Sequence, residues 1–271
     1  MEPDVQIFGV TKLGNSAEEY EDATGSSSEG RRFAIADGAT QTSFADRWSQ
    51  ILALEFIMNP PCDEPAPQRW SNWLQPLQEA WSQGIPWEKL PWFAMEKAQA
   101  GACTTLLALE FIAQEKANGH NRPALWRRLL GLASEPPMRW RAEAVGDSCL
   151  FQVRADRLLH SFPLTRPAEF THSPMLITTN PQQNRLVCEQ LQVAAGDCQP
   201  GDLFLLMTDA LAKWFLSRHL VGEQPWQRLA ALADGVAFKQ LVVQERERGR
   251  LENDDTTLMV IQWPREAKEA A

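Results

Sequence analysis

The sequence predicts an α+β fold in which antiparallel sheets carry helices packed outside them. Three observations lead there. Apolar, strand-like runs stand near both ends of the chain, at 5–9 and 256–262, with helical patterns between them. Asp37-Gly38 and Gly146-Asp147 interrupt strand-like runs as hairpin turns do. Those hairpin signals outnumber the strand–helix–strand alternation that a doubly wound parallel sheet requires. No internal repeat is visible, and 271 residues suit one domain with a sizeable core.

Taken in order, 5–9 is a short apolar run, and the polar stretch after it ends in Tyr20-Glu21-Asp22-Ala23. Residues 25–30 (Gly-Ser-Ser-Ser-Glu-Gly) are a turn by composition, and 32–36 reads as a buried strand stopped by Asp37-Gly38. From 43 to 58, Phe44, Trp48, Ile51, Leu52, Leu54, Phe56 and Ile57 recur at helical spacing, with Ser43 as the expected N-cap and Asn59-Pro60-Pro61 as the stop. Past a proline-rich link, Trp70, Trp73, Leu74, Leu77 and Trp81 share one helical face. Such a stripe predicts a helix docked by its aromatic side rather than a ligand-stacking platform. A second helix is expected over 87–100. Residues 104–112 predict a strand, and 114–137 a polar insertion, so that insertions are expected near 60–100 and 114–138. Strands at 139–145 and 149–153 are expected to form a second hairpin about Gly146-Asp147. A buried strand at 203–207 leads into an amphipathic helix, two helices follow near 227–233 and 236–248, and 256–262 closes the chain.

Hydrophobic residues make up 44% and charged residues 23% of the chain, which describes a soluble globular protein and not a disordered one. The net charge of −9 argues against sequence-independent nucleic-acid binding, which depends on neutralising phosphates. No apolar run reaches the ~20 residues that cross a bilayer, so no membrane partner is expected. The first residues lack the basic-then-apolar pattern of a secretory leader. Cys62, Cys103, Cys149, Cys188 and Cys198 show no CxxC spacing, so they are expected to be reduced thiols of a cytoplasmic protein. His120, His160, His172 and His219 show no metal-ligand spacing.

The chemistry lies in the placement of the acids. Asp22, Asp37, Asp147, Asp209 and Asp254 each stand at an end of a strand-like run. A carboxylate in an apolar setting is costly unless it is paired or binds metal, and five such ends can converge at one edge of a sheet. A single Asp-Gly would be a turn; five strand-end acids together point to a site. Oxygen ligands without His or Cys favour a hard cation, magnesium or manganese.

These residues resemble the metal-dependent type 2C (PPM) serine/threonine protein phosphatases, in order along almost the whole chain. Tyr20-Glu21-Asp22-Ala23 resembles that family's first acidic motif, and Phe33-Ala34-Ile35-Ala36-Asp37-Gly38 its second. Gly101-Ala102-Cys103-Thr104-Thr105 is similar to the Gly-(x)-Thr-Thr strand start, and Val145-Gly146-Asp147-Ser148 to the Gly-Asp-Ser motif. Thr208-Asp209-Ala210 resembles Thr-Asp-Gly, and Asn253-Asp254-Asp255-Thr256-Thr257 the closing Asp-Asn/Asp motif. The resemblance implies a four-layer αββα sandwich of two antiparallel sheets. It also implies phosphoprotein (Ser/Thr) hydrolysis by a water activated between two Mg or Mn ions, attacking in line without a covalent enzyme intermediate. By the same resemblance Asp37 bridges the two ions, the Gly38 carbonyl binds one, and Asp209 and Asp254 complete the other. Asp22 and Glu21 orient metal-bound waters, and Asp147 helps hold a third ion.

The pattern has departures. Ala17 stands where the family carries a phosphate-gripping Arg, and Lys12, Arg31 or Arg32 could take that role. Ala39 replaces a His, Ala210 a Gly and Cys149 an Arg, as in a divergent bacterial branch. Two other readings stay open at this point: a non-catalytic regulatory or binding module, supported by Ala17, and a small-phosphoester hydrolase with the tryptophan-rich insertion as a pocket wall.

Overall fold

The computed structural model describes residues 2–61, 66–113, 138–184 and 189–265. Twelve strands are seen among them: β1 (Asp4–Val10), β2 (Ala23–Ser26), β3 (Arg32–Ala36), β4 (Cys103–Thr104), β5 (Leu106–Ala113), β6 (Met138–Val145), β7 (Cys149–Arg154), β8 (Arg157–Phe162), β9 (Ile177–Thr178), β10 (Gln192–Cys198), β11 (Leu203–Met207) and β12 (Thr256–Gln262). The described helices are α1 (Ala45–Met58), α2 (Ala66–Gln83), α3 (Trp92–Gln99), α4 (Asp209–Leu220), α5 (Pro225–Ala230) and α6 (Gly235–Glu247), beside short 3-10 turns. One five-stranded sheet has the order β1-β12-β11-β7-β8 and the other β10-β6-β5-β3-β2. Every pairing in both is antiparallel.

The period-two alternation of strand side chains builds the layers. Phe204 and Leu206 of β11, Met259 and Ile261 of β12, and Phe33 and Ile35 of β3 meet between the sheets, with Phe111, Trp140 and Leu150. Their sequence neighbours face outward. Leu205, Met207, Leu258 and Val260 pack on Leu211 and Phe215 of α4 and on Phe238 and Val242 of α6. On the other outer face the strand residues are small, Ala34, Ala36 and Ala108, and the helices supply the bulk: Trp48 and Leu52 of α1, Trp70 and Leu74 of α2. The tryptophan stripe is core, as its spacing predicts. Its indoles also find acceptors: Trp70 donates to the buried Glu143 at 3.0 Å, Trp73 to the Asn59 carbonyl at 2.7 Å and Trp81 to the Phe44 carbonyl at 3.3 Å.

Five local expectations change. Asp37-Gly38 does not turn a hairpin: β3 pairs with β2 across the turn that precedes it, and past Gly38 the chain leads into α1. Residues 139–145 and 149–153 are strands but not a hairpin: β6 lies between β5 and β10, while β7 lies between β11 and β8 in the other sheet. Gly146, at φ +102°, carries the chain across, and a Cβ there would meet the Thr105 side chain at 2.6 Å. The hairpin partner of β7 is β8, a half-polar strand with a weak apolar signal. Ser43 does not cap α1; Phe44 holds that position in the left-handed region, φ 59°. Pro91 divides 87–100 into a 3-10 turn at Trp87–Lys89 and the helix α3. The 104–112 run breaks at Thr105, whose N–H and hydroxyl are both used to hold Asp37. The expected 114–137 insertion lies outside the described residues, as do His120, Cys62 and Cys188. Cys103, Cys149 and Cys198 are free thiols, the last two buried. Among the described residues, no helix is long and apolar enough to cross a membrane.

Candidate metal centre

Five strand ends deliver the acids to one side of the sandwich. Asp37 follows β3 directly, and its backbone is locked: its N–H donates to the Thr105 hydroxyl at 3.0 Å, and its carbonyl accepts from the Thr105 N–H at 2.9 Å and the Thr104 hydroxyl at 2.7 Å. Thr105 in turn shares a hydrogen bond with Ser148, next to Asp147, at 2.9 Å. The Gly-(x)-Thr-Thr segment therefore works as a splint between two of the acidic motifs. Gly38 packs so closely that a Cβ would lie 2.7 Å from the Glu21 carbonyl oxygen. Asp209 starts α4 at the end of β11, and Asp254 precedes β12.

Asp37, Gly38, Asp147, Asp209 and Asp254 all line one cleft of about 490 Å³. Its far wall is the segment 170–174, with His172 and Ser173, and its rim includes Lys213 of α4 and Glu252. None of the described tryptophans lines it, so the tryptophan-rich helix α2 is not a wall of this cleft. A larger hollow of about 700 Å³ lies between α2 and Thr179, Pro181, Asn184 and Glu189 and contains none of these aspartates; chemistry, not size, places the site.

Asp22 stands behind this group. Its Oδ2 accepts from the hydroxyls of Thr257 at 2.6 Å and Thr208 at 3.1 Å, which ties the first acidic motif to β12 and β11. Its Oδ1 is buried without a hydrogen-bond partner. Glu21 is half-buried, and its N–H donates to Asp255 Oδ2 at 2.9 Å. Asp255, buried beside Asp254, also accepts the Lys12 N–H at 2.8 Å, so it organises the 11–21 loop.

Other buried acids of the chain serve as an internal control. Asp202 is matched to Arg154 and Gln152, Glu245 to Arg228, Arg248 and Trp214, and Glu143 to Arg69, Arg141 and Trp70. The cleft acids face one another instead. Burial, with Asp255 and Asp209 nearby, raises the Asp22 carboxyl to about 8. Asp209 is raised to about 7 by burial and by Asp147 and Asp254, and Asp147 to about 6 by burial. Asp37 is pushed well above the carboxylate range by its enclosure and then by Asp22, Asp209, Asp147 and Asp254, which places it at the electrostatic centre. Glu21 is also raised by burial, against the opposing pull of Thr40 and Lys12. Mutually repelling carboxylates with an orphaned buried oxygen have the donor chemistry that suits a hard cation. Among the described residues, no group of three or more His, Cys, Asp or Glu side chains stands ready to hold an ion. The fit therefore rests on the donor chemistry and on the unmet oxygen of Asp22.

No family model matches the sequence, and no curated protein is similar to it. Solved structures are similar over nearly the whole chain. The serine/threonine phosphatase PstP/Ppp of Mycobacterium tuberculosis is 14% identical, covering 97% of this chain and 100% of that one, with a TM-score of 0.59. This chain has the PPM phosphatase fold. The PPM Ser-Thr phosphatase MsPP of Mycobacterium smegmatis (17% identical, 97% and 100% covered, TM-score 0.52) repeats the match. PppA of Pseudomonas aeruginosa, a regulatory component of T6SS, does so at 16% identity, 97% and 98% coverage and a TM-score of 0.51. Within this PPM fold the three proposed replacement cations separate. Arg32 sits at the far end of β3 from Asp37, bonded to the Ile57 carbonyl at 2.6 Å and paired with Glu110 at 3.6 Å. Arg31 lies in the turn before it, its N–H on Ser27. Only Lys12 reaches the acids. Ala17 lies on an exposed 3-10 turn with Glu18 and Glu19. Sequence reasoning singled out neither Asp255 as an organiser nor the 170–174 wall, whose residues carry no motif.

Proposed function

We propose that this chain forms a single phosphatase-like domain that hydrolyses phosphoserine or phosphothreonine in proteins, with two Mg or Mn ions and room for a third. The observation that carries the reading is the meeting of Asp37, Asp147, Asp209 and Asp254 in one cleft in front of a buried Asp22 whose Oδ1 has no hydrogen-bond partner among the described residues. Bound ions would supply an activated water and neutralise the phosphate oxygens. Asp37, Gly38 through its carbonyl, Asp209 and Asp254 would hold them; Asp147 would serve the third, and Asp22 and Glu21 would orient water. Thr104 and Thr105 fix the Asp37 backbone, so that its carboxylate needs no rearrangement at the moment of reaction. The fold match adds support, since one solved structure of PstP is described in complex with two manganese ions.

The deciding experiment is Mn²⁺-dependent hydrolysis of a phosphopeptide by wild type and Asp37→Asn, with Mn²⁺ binding followed by calorimetry. Turnover should fall by about 10³-fold or more in the variant, the scale of losing a group that acts in the transition state. Equal turnover in both proteins would refute the assignment. Binding of Mn²⁺ without turnover in wild type would favour the regulatory reading, which Ala17 supports.

A further inference from the structure

Lys12 is the cation that stands beside the acid cluster on its Glu21 side, within ion-pair distance of both Glu21 and Asp254. Its backbone leaves β1 and is pinned by the N–H bond to Asp255 Oδ1 at 2.8 Å. Its Nζ donates to the Thr40 hydroxyl at 2.9 Å and stands 3.7 Å from Asp254 and 3.9 Å from Glu21. Only 16% of the side chain is exposed. Thr40 belongs to the cleft wall that follows Asp37-Gly38, and Asp254 lines the same cleft. One ammonium thus touches three of the segments that form the site. The other cations nearby have their own partners: Lys213 pairs with Glu252 on the cleft rim at 2.5 Å, and Arg246 bonds backbone and hydroxyl oxygens, the Thr11 carbonyl and the Thr256 hydroxyl, each at 3.0 Å, and the Asp254 carbonyl.

We propose that Lys12 is a built-in counter-cation of the acidic site, which steadies Glu21 and Asp254 in its own right and opposes a divalent ion on their side. The inference rests on reading the cleft as a divalent-cation site. The physical argument is charge competition. A fixed ammonium within ion-pair distance of a carboxylate repels a dication sharing that carboxylate, and being part of the chain it is never diluted away. At 3.7–3.9 Å the contacts to the acids are longer than hydrogen bonds, while Thr40 holds the ammonium directly. The flexible four-carbon stem lets the charge withdraw without breaking the backbone anchor at Asp255. Lys12 is accordingly a positioning residue, and it sets how tightly the site is loaded rather than what it hydrolyses.

The test compares wild type with Lys12→Met, Lys12→Gln and Lys12→Arg. Calorimetric titration with Mn²⁺ alone and thermal melting of chelator-treated protein are the two readouts. Both neutral variants should bind Mn²⁺ about tenfold more tightly, the scale of removing one unit charge a few ångströms from a dication in water-like dielectric. Their metal-free forms should melt about 2–4 °C lower, as about 1 kcal/mol does in a chain of this size. Lys12→Arg should follow wild type in both. Lys12→Gln can still bond Thr40, so wild-type behaviour in it would show that the hydrogen bond matters and the charge does not, which overturns the proposal. Unchanged or weaker Mn²⁺ binding in Lys12→Met, or an unchanged metal-free melting point, overturns it as well. If all four proteins bind Mn²⁺ equally, only the Lys12 proposal fails; if none binds it, the cation-site reading fails and takes the proposal with it.

Discussion

At the scale of single residues, the site depends on backbone placement as much as on carboxylates. Gly38 shows why. It has no side chain to contribute, yet a Cβ would sit 2.7 Å from the Glu21 carbonyl oxygen and 3.1 Å from the carbonyl carbon of Ala45. The second acidic motif, the first one and the start of α1 therefore touch through this residue. Gly38→Ala should cost about 1–3 kcal/mol, the range for overpacking a closely packed position, because the opposing atoms are backbone and cannot rotate away. It should also lower Mn²⁺ affinity by moving Asp37 away from Asp209. Urea unfolding and calorimetry check the two effects separately.

At the scale of elements, α2 is attached by a buried polar cluster as well as by its aromatic face. Glu143 of β6 is only 5% exposed, and it receives Arg69 and the Trp70 indole from α2 and Arg141 from its own strand. A buried carboxylate left short of donors is costly. Trp70→Phe retains most of the ring in a core where Trp70 is 1% exposed, and removes only the donor to Glu143. The expected loss is about 1–3 kcal/mol in urea unfolding, with turnover unchanged, because no residue of α2 lines the acid cleft. A fall in turnover at intact stability would mean that α2 communicates with the site.

At the scale of the whole molecule, the cleft acids make stability depend on pH. Asp147, Asp209 and Asp22 are raised to about 6, 7 and 8. In the unfolded chain the same groups ionise near 4. Between those values the folded state binds more protons, so their contribution to stability is present below about pH 4 and is lost as pH rises through 6 to 8. Chelator-treated protein should therefore melt at progressively lower temperature from pH 5 to pH 8. Saturating Mn²⁺ should abolish that decline, since a cation stabilises the ionised acids of the folded state only. Melting curves at four pH values, with and without Mn²⁺, read both outcomes.

Sequence alone determined which residues would be core and where the acids would stand. The continuous apolar runs of β3, β11 and β12 and the 3.6-residue spacing in α1, α2 and α4 are local patterns of burial, and burial is what the hydrophobic effect selects position by position. Strand-end aspartates were legible for a related reason: a charge interrupts an apolar run, and one kept there must be compensated. Partnership was decided by tertiary structure. Strands β6 and β7 have the local look of a hairpin, but they belong to different sheets, because pairing depends on which edge is free and not on the turn between them. Lys12, Arg31 and Arg32 were equivalent as cations in the sequence; only the folded chain set Lys12 among Glu21, Asp254 and Thr40 and carried the two arginines to the other end of β3. Electrostatics acts through space over a few ångströms, and positions 12, 21 and 254 become neighbours only when β1 pairs with β12.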